Sequence, residues 1–280
     1  MGKFWGGVAN LAAAIGHAFL VPAKRKKISK YTEKLDLTGY HLTLEDHFEG
    51  NELNTDIWSS HGEGVRRGGY WDINQCTVKD SNLIITTEYK TDGKFGPGWY
   101  TAGLQSAGKF EQAFGYFECR CILPKGHGLW SAFWMMNAEV HHVFGNGRQG
   151  TEIDIYESPF YHLGKKGYIV TSNLHYNGYG IETRMTNICI CELDNNPYEN
   201  YNTYGLLWTP DEYQIYINGI KVGSSSFGGV SQNPEYMLLS CEVDGISAVP
   251  QFGWSGHLKN NPAGFKGEFI VDYVKVYSKD

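Results

Sequence analysis

The chain has 280 residues, 41% of them hydrophobic, enough to bury a substantial core, and it contains no internal repeat or low-complexity tract. Its 24 basic and 30 acidic side chains leave a net charge of −6, which argues against nucleic acid or an acidic polysaccharide as partner, since either calls for a basic surface. Aromatic residues at 15% and 35 glycines suit strands and turns, and a neutral glycan read by aromatic rings fits this composition better.

Residues 1–38 read as an N-terminal extension to one domain over residues 39–280. Residues 4–21 are small and apolar, and Lys24-Arg25-Lys26-Lys27 follows. Charges placed after the apolar run reverse the order of a secretory signal. The run is also short and Gly-rich for a membrane span. Three readings stay open: an atypical signal peptide ending near Val21-Pro22-Ala23, an amphipathic helix holding residues 4–27 against a membrane surface, or a tail packed on the domain.

Beyond residue 40 no stretch carries a strong helical period. Leu42-Thr43-Leu44-Glu45-Asp46-His47-Phe48 reads as a strand, as do Asn82-Leu83-Ile84-Ile85-Thr86-Thr87-Glu88-Tyr89 and residues 102–110. Strands follow over Gly115-Tyr116-Phe117-Glu118-Cys119-Arg120-Cys121-Ile122-Leu123-Pro124 and Gly128-Leu129-Trp130-Ser131-Ala132-Phe133-Trp134-Met135-Met136, then over residues 168–176. Glu212-Tyr213-Gln214-Ile215-Tyr216-Ile217 before Asn218-Gly219 predicts a hairpin with a two-residue turn. Many short strands with regular turn signals indicate an all-β sandwich. Cys119 and Cys121, like Cys189 and Cys191, are two apart and so share a strand face. Each pair is badly placed to bridge itself and lacks zinc-site spacing, so buried free thiols are expected.

The densest chemistry lies in Gly150-Thr151-Glu152-Ile153-Asp154-Ile155-Tyr156-Glu157-Ser158. Ile and Tyr between the acids favour an extended strand. Glu152 and Asp154, two apart, share a face, with Ile153 and Ile155 on the other. Glu157 falls on the wrong parity unless one extra residue bulges near Tyr156, which lines up Glu152, Asp154 and Glu157. Two carboxylates flanking a cleavable bond are the equipment of a glycosidase, and a retaining one holds them roughly 5 Å apart. The backbone positions lie about 13 Å apart, so two long Glu side chains must lean inward over a concave sheet. Crowding pushes the three pKa values apart, making one acid a proton donor and another a nucleophile. The bland alternative is a solvated strand face with ordinary charges. Tyr70-Trp71-Asp72-Ile73-Asn74 and Gly98-Trp99-Tyr100 read as loops at a cleft rim. Arg66, Asn74 and Trp99 are candidate sugar contacts, as is Trp254 in Gly253-Trp254-Ser255-Gly256.

These strands, with Leu207-Trp208-Thr209-Pro210-Asp211-Glu212 and the closing Val271-Asp272-Tyr273-Val274-Lys275-Val276-Tyr277, resemble glycoside hydrolase family 16 from about Leu42 to Tyr277. The acidic motif is the longer, bulged version of the laminarinases, and Ser131 stands where Pro is usual. The resemblance implies a jelly roll of two curved antiparallel sheets with the substrate cleft on the concave face. It implies Glu152 as nucleophile, Glu157 as acid/base and Asp154 as their hydrogen-bonded aid. Trp130 resembles the family's cleft Trp; Trp134 serves either the cleft or the core. His175 resembles a His near the catalytic row. No cofactor for catalysis is implied, but a structural calcium is, held by the backbone oxygens of His47 and Ser81 and the carboxylate of Asp272.

The expected activity is a retaining endo-β-glycanase, monomeric, acting on β-1,3- or mixed β-1,3/1,4-glucan. A galactan or agarose hydrolase, a transglycosylase, or a non-catalytic lectin on the same sandwich are the alternatives; the presence of all three acids argues against the lectin. Polymeric glycans are met outside the cell, which favours a secreted or cell-surface protein. Unpaired thiols, commoner in a reducing compartment, pull the other way.

Overall fold

The computed structural model describes residues 25–279. The apolar run of residues 4–21, with its signal-peptide and membrane-helix readings, lies outside the described residues. The principal strands are β1 (Tyr40–Asp46), β2 (Asn82–Lys90), β3 (Gly98–Thr101), β4 (Gly103–Gln105), β5 (Gly115–Ile122), β6 (Leu129–Met136) and β7 (Glu152–Ser158). They continue with β8 (Ile169–Tyr176), β9 (Arg184–Glu192), β10 (Asn202–Trp208), β11 (Tyr213–Ile217), β12 (Ile220–Ser225), β13 (Glu235–Val243) and β14 (Lys266–Lys279). Among the described residues the only helical elements are short 3-10 turns, and no helix is long and apolar enough to cross a membrane.

Two large sheets form the jelly-roll sandwich. One runs β9-β8-β7-β6-β13-β4, and the other β12-β11-β10-β5-β14-β2-β3 with β1 beside β14. Alternation decides what each strand sends inward. On β5, Phe117, Cys119 and Cys121 are fully buried between the sheets, and Leu123 follows them. All six cysteines are free, and five are buried, as their spacing implied. Across the gap Ile153, Ile155, Tyr156, Val170 and Leu174 join the same core. The Asn218-Gly219 turn forms between β11 and β12 with φ of 50° and 72°, the left-handed pair that such a turn requires.

The strand expected over residues 102–110 is shorter. Only Gly103–Gln105 pairs, because the Ser106 hydroxyl donates to Phe110 O at 2.7 Å and the Phe110 amide returns to Ser106 O at 2.9 Å, closing a turn. Part of the N-terminal extension lies on the sandwich. Lys26–Lys27 pairs in parallel with Cys191–Glu192 at the edge of the β9 sheet, and the Leu35 amide donates to Gly219 O at 2.8 Å.

Of the three oxygens expected to hold calcium, two are backbone carbonyls, those of His47 and Ser81. Asp272 would give the only charged ligand, and its carboxylate is already engaged by the Arg120 guanidinium, which itself lies over the Tyr201 ring.

Candidate active site

The row of acids depends on one irregularity in β7. On the β6 side, Phe133 faces Tyr156 while the next residue, Trp134, faces Asp154, so Ile155 is the extra residue. On the β8 side, Glu152 faces His175, Asp154 faces Asn173 and Glu157 faces Thr171. Ile155 and Tyr156 therefore point to the same side, and both are fully buried in the core. This bulge returns Glu157 to the face of Glu152 and Asp154. All three acids line a cleft of about 1280 Å³ on the outer face of the β9-to-β4 sheet. That volume suits an extended chain of several sugar units better than one ring.

Each acid has its own partner. The Tyr179 hydroxyl donates to Glu152 Oε2. His175 Nε2 stands 3.3 Å from Asp154 Oδ2. The Asn173 amide donates to Glu157 Oε2, and its orientation is fixed because Asn187 Nδ2 donates to Asn173 Oδ1 at 2.9 Å. Burial pushes the Glu152 carboxyl up to about 7, helped by the charge of Asp154 and opposed by His175 and Tyr179. Burial and Asp154 also push Glu157 well above the carboxylate range. Desolvation pulls His175 down, but its hydrogen bond to Asp154 and the surrounding acids win and raise it to about 9. The row thus holds two acids whose protons burial helps to retain and a histidine whose positive charge the acids hold.

Glu152, Asp154 and His175 bring ligand atoms within 4.8 Å of one another. The raised pKa of His175 means that a cation there would have to displace its proton.

Of the other expected contacts, Arg66, Trp130, Trp134, His175 and Trp254 all line the cleft. Trp134 sits on the cleft face rather than between the sheets, in a small cluster with Ala132, Met136 and Leu238; its ring N–H donates to Ser240 Oγ at 3.1 Å. Trp130 is not a bare platform. The Arg67 guanidinium carbon lies 4.2 Å over its ring, and Trp254 packs against it at 4.7 Å and 74°.

Asn74 and Trp99 do not reach this cleft. Asn74 is exposed in a 3-10 turn, where its amide donates to the Asp72 carboxylate at 3.0 Å. Trp99 lies opposite Tyr89 in the other sheet and packs on Phe265 beside a separate, smaller hollow.

Sequence reasoning missed Asn173, which parity with His175 along β8 points to, and also His61, Arg67, Tyr179 and Glu242, which lie on other segments.

A cleft on a sheet face carrying paired carboxylates whose pKa values burial raises is the arrangement of a glycoside hydrolase. The model for Glycosyl hydrolases family 16 matches residues 67–238, more than half of the chain, and the chain belongs to that family. The endo-1,3-1,4-beta-glycanase ExsH of Rhizobium meliloti is 29% identical over 213 residues, covering 74% of this chain but 40% of that protein. A glucan endo-1,3-beta-glucosidase of Cryptopygus antarcticus is 28% identical over 261 residues, covering 85% of this chain and 92% of its own. The X-ray structure of an endo-beta-1,3-glucanase from Pyrococcus furiosus matches with a TM-score of 0.68 at 25% identity, over 88% of this chain and 98% of that one.

Proposed function

We propose that the chain is a retaining endo-β-glycanase acting on β-1,3- or mixed β-1,3/1,4-glucan. The observation that carries this reading is the bulge at Ile155, which sets Glu152 and Glu157 on one cleft face, where burial raises both carboxyls. Glu157, which keeps its proton to higher pH, donates it to the glycosidic oxygen as the bond breaks. Glu152 attacks the anomeric carbon, and a water deprotonated by Glu157 then releases the glycosyl group. Asp154 and His175 form a fixed ion pair beside them, and the His175 cation favours the ionised nucleophile. The linkage follows the names of the relatives, which specify 1,3- and 1,3-1,4-β-glucans.

The test is product release from laminarin, lichenan, cellulose, xyloglucan, agarose and β-galactan. Oligosaccharides from laminarin or lichenan are expected. Products from agarose or galactan alone would replace the substrate, and binding without cleavage would make the protein a lectin. Glu152→Gln and Glu157→Gln are each expected to lose about 10²–10⁴-fold in turnover with unchanged melting.

A further inference from the structure

A corner of the cleft carries a charge arrangement that a neutral glycan does not need. It lies two residues along β6 from Ala132, the residue that faces Glu157, where Trp130 pairs with Glu242 of β13. Arg66 spends two nitrogens on Glu242 Oε1, at 2.8 and 2.5 Å. Arg67 forms an ion pair with the other oxygen of the same carboxylate through its Nε. Glu242 is almost fully buried, while the arginine side chains are 39% and 41% exposed toward the cleft. Two guanidinium groups on one carboxylate leave one positive charge in excess. The terminal nitrogens of Arg67 have no acceptor among the described residues, and the flat group is held over Trp130.

The backbone is shaped for this arrangement. Neighbouring residues on a strand point to opposite sides, yet Arg66 and Arg67 both reach Glu242. Arg67 and Gly68 form the turn that pairs Arg66 with Gly69, and Arg67 takes a left-handed φ of 49°, unusual for a long side chain. The turn is clamped: the Gly68 amide donates to Val243 O and the Ala248 amide to Arg67 O, both at 2.9 Å. A Cβ on Gly68 would come within 2.4 Å of Asp244 O, so only glycine fits. One arginine is enough to pair a buried carboxylate; the second adds a donor fork aimed at the cleft.

We propose that this corner binds an oxyanion substituent, a carboxylate or a sulfate ester, carried by the glycan, so that an acid-substituted β-glucan is preferred over the plain polymer. The inference rests on the glycan-cleft reading above and narrows its substrate class. The net charge of −6 counts against a densely charged polymer, but a single oxyanion at this corner meets mainly the local charge, because charges more than about 8 Å away are largely screened at physiological salt. Arg67 presents two parallel N–H groups that match an oxyanion.

The experiment uses the full chain carrying Glu157→Gln, which stops turnover. Calorimetry compares plain, carboxymethylated and sulfated laminari-oligosaccharides of one length at low and high salt. At least one acidic form is expected to bind about 10-fold or more tightly than the plain one, with the preference shrinking in high salt. The acidic form that wins distinguishes carboxylate from sulfate. Adding Arg67→Gln is expected to bring the acidic-to-plain ratio to about 1, and Arg67→Lys to restore only part of it, because lysine keeps the charge without the fork. No acidic preference, a ratio unmoved by Arg67→Gln, or no binding of any form overturns the proposal. If the wild type cleaves plain laminarin while the acidic preference is absent, the glucanase reading stands and this one falls. Acidic preference in the variant with a wild type silent on every glucan gives the reverse.

Discussion

The acid row and the arginine corner share one cleft but handle charge in opposite ways. The acids are packed beside like charge with few donors, so burial raises Glu152 and Glu157 and keeps protons in the site. At the corner, opposite charges meet and the cations stay partly in solvent, so charge is retained. Buried like charges make proton chemistry; half-exposed cations on a buried carboxylate make recognition. The backbone devices differ in the same way. The row is built by an extra residue inside a strand, and the corner by a left-handed residue in a turn.

The largest expected effect comes from the bulge. An Ala inserted after Ile155 turns Glu157 toward the core and is expected to cut hydrolysis by about 10²–10⁴-fold or more, the contribution of a general acid. Deleting Ile155 leaves Glu-Ile-Asp-Tyr-Glu, whose plain alternation keeps all three acids on one face. That variant is expected to lose stability, by about 2–5 kcal/mol for the emptied core volume, yet to retain measurable turnover. The opposite ranking of the two variants would break the bulge account.

A smaller effect separates charge from geometry. The His175 cation lowers Glu152 toward its value of about 7. His175→Ala is therefore expected to move the acidic limb of kcat/KM to higher pH by about one unit, with the basic limb less affected. The folded-state pKa of His175, about 9, lies above its ordinary value of 6.5. Its stabilising contribution is thus complete below pH 6.5 and fades as pH rises through 9. The melting-temperature gap between wild type and His175→Ala should be widest near pH 6 and close above pH 9. A gap constant with pH would assign His175 a packing role only.

The sandwich and the acid row were legible because both follow from the two-residue period. Phe117, Cys119 and Cys121 announce an inward face, and the misplaced parity of Glu157 announces a bulge. Asn173 was readable by the same rule applied to His175. Tyr179 reaches Glu152 from an irregular segment, and Arg67 owes its direction to a left-handed turn; neither follows from periodicity. Glu242 becomes informative only once β13 is paired with β6, a contact between residues more than 100 apart in the chain. Asn74 and Trp99 misled because aromatic and amide residues in loops suit a sugar cleft by type, whereas their positions depend on sheet pairing: Trp99 belongs to the other sheet. Asp272 reads as a calcium ligand by resemblance alone; its ion pair with Arg120, on the neighbouring strand, follows only from sheet pairing.

The most direct test of the central claim is to trap the covalent intermediate. The wild type is incubated with an activated 2-deoxy-2-fluoro laminaribioside, which slows release of the glycosyl group, and is then digested and sequenced by mass spectrometry. The sugar mass is expected on Glu152 alone. A label on Glu157, or an enzyme that turns over laminarin with inversion and never acquires a label, would contradict the assignment of Glu152 as nucleophile and Glu157 as acid/base.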